Sequence, residues 1–128
     1  MALVVLDASA ILAFIKREDG AERVLPHIGN AVVSAVNLQE VVKELVLDGL
    51  PRETIEAILS RLRLDVRPHD VNAAYAAGEL VKATREFGRG LGDRTCMALG
   101  MALGAPVLTA DREWARVKID GLKLEQVR

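Results

Sequence analysis

The 128-residue chain reads as an α/β fold, a three-layer sandwich with a central, mostly parallel five-stranded sheet flanked by helices. Short apolar runs alternate with stretches of helical periodicity along its whole length. Those runs lack polar alternation and are too short for helices, as expected of strands buried on both faces. Hydrophobic residues make up 51% of the chain but only four are aromatic, so the core is one of Leu, Val and Ala.

The elements follow in order. Ala2–Leu6 is the first buried strand and stops at Asp7. Ala8–Ile15 then reads as a helix that packs Ile11, Leu12, Phe14 and Ile15 on the sheet. Asp19-Gly20 ends it, and Ala21–Ile28 is a short second helix broken by Pro26 and closed by Gly29-Asn30. Ala31–Val33 is the second strand. Ser34–Leu47 carries Leu38, Val41, Val42 and Leu45 at the i, i+3, i+4, i+7 spacing of a buried helix face. Asp48-Gly49 stops that helix, and Pro51 opens Arg52–Leu62, where Ile55, Ile58, Leu59 and Leu62 repeat the spacing. Leu64–Arg67 is the third strand. Asp70 caps a long helix, Val71–Phe87, and Gly88, Gly90 and Gly92 form an Arg-bearing connection. Arg94–Leu103 is a helix of small residues suited to close packing, Ala105–Thr109 the fourth strand and Leu122–Val127 the fifth. No repeat or linker divides the chain, so residues 1–128 are expected to form one domain.

Charge and cysteine content narrow the function. With 17 basic and 18 acidic residues the net charge is −1, so nucleic-acid binding would need a local patch. A single cysteine, Cys96, allows no internal disulfide and no thiolate metal site, which fits a reducing cytoplasm. Ala8-Ser9-Ala10 after an apolar run imitates a signal-peptide cleavage site. No Lys or Arg precedes that run, however, and Asp7 cuts it short. No stretch approaches the length of a membrane span, so a cytoplasmic protein without a membrane partner is expected.

Four acids stand at element ends or beside apolar helix faces: Asp7, Glu40, Asp93 and Asp111. Asp7 and Asp111 each follow a strand, at the carboxyl edge where open α/β sheets place ligands. Asp93 stands at the start of the helix after the glycines, and Glu40 lies next to an apolar stripe. Taken singly, each has a structural use. Asp7, Asp93 and Asp111 could cap helices, and Glu40 could close a box with Asn37. Taken together, carboxylates gathered at one sheet edge repel one another, and a cation is needed to keep them all ionised at neutral pH. Oxygen ligands without Cys or a well-placed His select Mg²⁺ or Mn²⁺ over zinc. Such an ion activates water and stabilises charge on a phosphodiester.

The segments VVLDASAILA, VVSAVNLQEVVKEL and LGDRTCMALGMALGAPVLTADREW carry a resemblance over essentially the whole chain. It resembles a PIN-domain ribonuclease, and most of all the VapC-type toxins of prokaryotic toxin–antitoxin pairs. The resemblance implies Asp7, Glu40, Asp93 and Asp111 as a catalytic, metal-holding quartet around Mg²⁺ or Mn²⁺. It implies Ser9 and Thr109 as hydroxyls that order neighbouring carboxylates and metal water, and Asn37 as a supporting polar group. The alternative for Ser9 and Thr109 is a local bond to backbone. RNA as substrate, a homodimer and a cognate antitoxin lying over the acidic site complete what the resemblance implies. In such a fold the connection from the third to the fourth strand crosses the sheet, which puts Asp7 and Thr109–Asp111 at the switch point.

Other polar residues carry weaker signals. Arg85, Arg89 and Arg94 bracket the glycines, with Lys82 a turn earlier, and could hold an RNA backbone by charge and bidentate contact or be a solvated loop. Lys16-Arg17 and Arg112 are fainter candidates. His27 and His69 both lie beside Pro and read as surface or capping groups. Cys96 reads as core filler, Trp114 as packing, Glu44 as a solvated partner of Lys43, and Asp70 as an N-cap. Ile11, Phe14, Ile15, Val24, Leu25 and Ile28, with the further apolar positions of Ser34–Leu47 and Pro51–Leu62, are more than a domain this size turns to one sheet, so a partner surface is expected. Two rival classes remain. A catalytically silent PIN-like module could bind an Arg-bearing partner in the acidic pocket. An aspartate-based phosphotransfer domain is disfavoured, because position 9 is Ser rather than a second acid and no Lys follows a late strand.

Overall fold

A computed structural model describes residues 2–87 and 89–128. Five parallel strands form one sheet: β1 (Val4–Leu6), β2 (Ala31–Ser34), β3 (Asp65–Arg67), β4 (Val107–Thr109) and β5 (Leu124–Gln126), in the order β3-β2-β1-β4-β5. Six helices connect them: α1 (Ala8–Ile15), α2 (Ala21–Val24), α3 (Ala35–Leu47), α4 (Arg52–Leu62), α5 (Val71–Gly78) and α6 (Leu91–Leu103). The expected α/β class and parallel five-stranded sheet are therefore present.

The strands are buried on both sides because their side chains alternate between two apolar layers. Val4 and Leu6 pack with Ile11, Val24, Val41, Leu45 and Ile55 from α1–α4. Val5 turns the other way, with Val32 and Val107, onto Cys96 and Met97 of α6 and onto Trp114. Each such side chain, removed from water, contributes roughly 1.5–3 kcal/mol before the opposing chain entropy is subtracted. The small residues of α6 set its distance from the sheet. A Cβ on Gly100 would overlap the Val107 side chain and lie 3.2 Å from the Ala105 carbonyl.

Two expectations need correction. The helix predicted over Val71–Phe87 ends at Gly78 and runs on only as a 3-10 turn, Glu79–Val81. Glycine is costly inside a helix by about 1 kcal/mol relative to Ala. Thr84, fully buried, then bonds its hydroxyl back to the Leu80 carbonyl at 2.8 Å. The helix predicted from Arg94 starts earlier, at Leu91, so Gly92 is helical rather than part of a loop; Gly88 lies outside the described residues. Of the apolar positions from α1 to α4, Ile11 and Val24 are buried and Phe14, Ile15 and Ile28 pack against the core, while Leu25, Val46 and Leu47 stay exposed at 60%, 56% and 73%.

Because β1 and β4 are neighbours, the chain from β3 to β4 crosses the sheet. The strand order reverses between them, and their carboxyl ends open a crevice there.

Candidate active site

Asp7 leaves the end of β1 and starts α1, and both of its oxygens are used. Oδ1 accepts from the Ala10 amide at 2.9 Å and from Ser9 Oγ at 2.7 Å. Oδ2 accepts from Thr109 Oγ1 at 2.7 Å and from Ser9 Oγ at 2.9 Å. Asp7 is thus both a helix cap and a member of a cross-sheet cluster. Both hydroxyls also accept from backbone: Ser9 Oγ from the Ala110 amide across the sheet at 2.9 Å, and Thr109 Oγ1 locally from the Asp111 amide at 3.0 Å.

Glu40 projects from α3, the helix capped by Ser34. One turn earlier, buried Asn37 donates Nδ2 to Glu40 Oε1 at 2.8 Å and to the Gly92 carbonyl at 3.0 Å, which joins α3 to the start of α6. Gly92 leaves room for this. A Cβ there would overlap the Glu40 carboxylate, with Cδ and Oε2 both at 2.6 Å. Asp93 is the third residue of α6 rather than its N-cap, and its Oδ2 accepts from the Gly90 amide at 3.2 Å. Asp111 follows β4 and accepts from the Glu113 amide at 3.0 Å through Oδ1.

Asp7, Glu40, Asp93 and Asp111, brought from four places in the sequence, line one cavity of about 200 Å³ together with Ser9 and Asn37. Glu44 and Lys43 complete its polar wall, paired with each other at 3.2 Å. The cavity thus holds five carboxyl groups against one ammonium. Burial raises the Asp7 carboxyl to about 6, against the pull of its hydrogen bonds to Thr109, Ala10 and Ser9, with the negative charge of Asp93 adding to the rise. The Asp93 carboxyl is also raised, chiefly by burial and further by Asp111 and Glu40, while the Gly90 amide and Arg94 oppose the shift. Burial pushes the Cys96 thiol well up, so it stays protonated and serves as core filler.

Among the described residues, no three acidic, His or Cys side chains stand close enough to hold an ion as they lie. Glu40, Asp93 and Asp111 each turn one oxygen to a local donor, and the second accepts no hydrogen bond from the described residues. In donor chemistry the set fits a hard divalent cation: it is all oxygen, mutually repulsive, and contains neither sulfur nor imidazole.

The basic candidates are less converged. Arg94 is half-buried, and its guanidinium donates to the Arg89 carbonyl. Arg85 and Arg89 are exposed and do not line the acidic cavity. His69 is exposed just before α5, and Asp70 caps that helix by accepting from the Ala73 amide at 2.9 Å.

Three contributors are not among the residues singled out in the sequence. Gly92 can be found from the spacing of Gly90 and Asp93, a cap followed three residues later by an acid, which starts the helix before Gly92. Gln126 and Arg128 have no local signal. Gln126 Nε2 donates to the Asp111 carbonyl at 3.2 Å and Arg128 Nε to the Ala110 carbonyl at 3.3 Å, contacts that exist only because β5 pairs with β4.

The sequence model of the PIN domain matches residues 4–120. The chain belongs to the PIN-domain family. No curated protein matches it in sequence. Among solved structures this PIN domain is similar to a chain of DNA-bound VapBC from Salmonella typhimurium, with 23% identity, all of both chains covered and a TM-score of 0.72. A chain of VapBC2 from Rickettsia felis, bound to a promoter DNA fragment, aligns at 20% identity over 98% of each chain with a TM-score of 0.71. VapBC-1 from nontypeable Haemophilus influenzae aligns at 24% identity over 98% of each chain, TM-score 0.69. At these identities the likeness is one of fold.

Proposed function

We propose that this PIN domain is a Mg²⁺- or Mn²⁺-dependent endoribonuclease and the toxin half of a VapBC-type pair, restrained by a cognate antitoxin. What carries the reading is the single cavity lined by Asp7, Glu40, Asp93 and Asp111 at the β1–β4 crevice. The toxin assignment is supported by the solved neighbours, which are toxin–antitoxin assemblies. A homodimer belongs to the same proposal, and so does a cytoplasmic location. No helix among the described residues is long and apolar enough to cross a membrane.

A divalent ion bound by the four carboxylates would supply a Lewis acid for the phosphodiester and a water of lowered pKa. The chain's own residues do the remaining work. Ser9 and Thr109 hold Asp7 through both of its oxygens, so it is the most constrained of the four. Asn37 holds Glu40 through Oε1 and leaves Oε2 to the cavity. Asp93 and Asp111 each keep one oxygen uncommitted and so can swing toward a cation or accept a proton from water.

The test is cleavage of a labelled single-stranded RNA by purified protein with Mn²⁺, with EDTA and the isosteric Asp7→Asn variant beside it. Metal-dependent cleavage that disappears in Asp7→Asn is the expected result. Equal cleavage by the variant, or none by the wild type with either metal, would overturn the reading.

A further inference from the structure

Beside the acidic cavity lies a second, wider recess of about 620 Å³ lined by Ser9, Asp19, Ala110, Asp111, Arg112 and Arg128. Ser9 and Asp111 line both, so the two recesses adjoin at the β1–β4 crevice. A nucleic-acid strand entering five carboxylates needs cations on its flank. Nearer the carboxylates, Lys43 pairs with Glu44 and Arg94 donates to the Arg89 carbonyl. Arg112 is exposed and makes no ion pair or hydrogen bond with the described residues. Arg128 is anchored by Nε to the Ala110 carbonyl, and its Nη1 faces Glu18 Oε1 at 3.5 Å, a long and solvent-exposed pair that a phosphate can replace. With Asp19 and Asp111 on its walls the recess has no net positive field, so recognition there rests on the placement of the two guanidiniums.

We propose that Arg112 and Arg128 form a phosphate-binding ledge that seats the RNA backbone beside the bond to be cut, giving the strand its direction across Asp111. The inference rests on the ribonuclease reading above. It moves the backbone contact from the glycine-flanking arginines to the β4–β5 side of the sheet.

The test is fluorescence anisotropy with a labelled single-stranded RNA at several salt concentrations, every protein carrying Asp7→Asn so that the strand stays intact. Adding Arg112→Ala or Arg128→Ala is expected to weaken binding several-fold, and to lower the slope of log affinity against log salt by about 0.7 for each phosphate that is no longer neutralised. Arg128→Lys, which keeps the charge, should restore much of the slope. It also separates phosphate binding from any loss of folding, which melting temperatures report directly. Arg52→Ala, on α4 and paired with Glu56, should change neither quantity. Unchanged slopes in both arginine variants overturn the ledge, and leave the ribonuclease reading standing if wild-type protein cleaves RNA with Mn²⁺. A wild type that neither binds nor cleaves overturns both.

Discussion

Thr109 Oγ1 donates to Asp7 Oδ2 at 2.7 Å across 102 residues of sequence, and this bond joins the ends of the two central strands. It is also one of the forces that keep the buried Asp7 carboxyl from rising above about 6. Thr109→Val keeps the shape and removes the donor. The expected loss of stability is about 1–3 kcal/mol at neutral pH, with a further rise of the Asp7 pKa. Thr109→Ser should recover most of both. Denaturant unfolding and carboxyl NMR titration measure the two effects, and a Val variant as stable as wild type at pH 7 would refute the coupling.

Asp7 also gives the metal-free protein an inverted pH profile. Its folded pKa, about 6, lies above the ordinary 3.8, so the folded state holds the proton more tightly than the unfolded one. That contribution is complete below about pH 4 and disappears as pH rises through 6, an effect of ~3 kcal/mol. Asp93 is raised too and acts in the same direction. Thermal melts in EDTA should show the decline between these limits, superposed on the other titrations, and Asp7→Asn should remove most of it.

Divalent metal should reverse that trend. Binding needs the carboxylates ionised, so Mn²⁺ is expected to raise the melting temperature more at pH 8 than at pH 5. At a hundred times its dissociation constant the ion adds about 2.7 kcal/mol. Equal shifts at both pH values, or an undiminished shift in Asp7→Asn, would place the ion elsewhere.

Gly92→Ala should separate stability from activity. Alanine favours the helix by up to about 1 kcal/mol, but its Cβ occupies the space of the Glu40 carboxylate. The side chain end can swing away, so the fold should survive while RNA cleavage falls by at least an order of magnitude. A fully active Gly92→Ala protein would show that Glu40 need not sit against α6.

Gly100→Ala makes the opposite demand. Its Cβ meets the Val107 side chain and the Ala105 carbonyl, which belong to the sheet and its approach rather than to flexible side-chain ends. A cost of about 1–3 kcal/mol is expected, with unchanged turnover per folded molecule. Urea unfolding beside an active-fraction assay tests both halves.

These residues also show what the sequence discloses. Val4–Leu6 and Ala31–Ser34 are legible as buried strands because they are apolar without alternation, and Asp7 is legible as the acid between a strand and a helix. Arg52–Leu62 is bounded by Pro51 and by its own apolar spacing, and the structure agrees to the residue. The start of α6 is easily misplaced because three glycines in five positions look like loop, whereas Asp93 reaching back to Gly90 makes a helix start. The end of α5 is overrun because apolar and helix-favouring residues continue past Gly78. The partners of Asp111 are invisible in the sequence, since Gln126 and Arg128 reach its segment only through the register of β4 on β5.

That register has one more consequence. The carbonyls of Thr109, Ala110 and Asp111 are held in turn by the Val127 amide, Arg128 and Gln126. β5 follows all four acids in the chain, so the segment that carries Asp111 is held on this side only once β5 pairs with β4. Under the ribonuclease reading, that last pairing step completes the cleavage site.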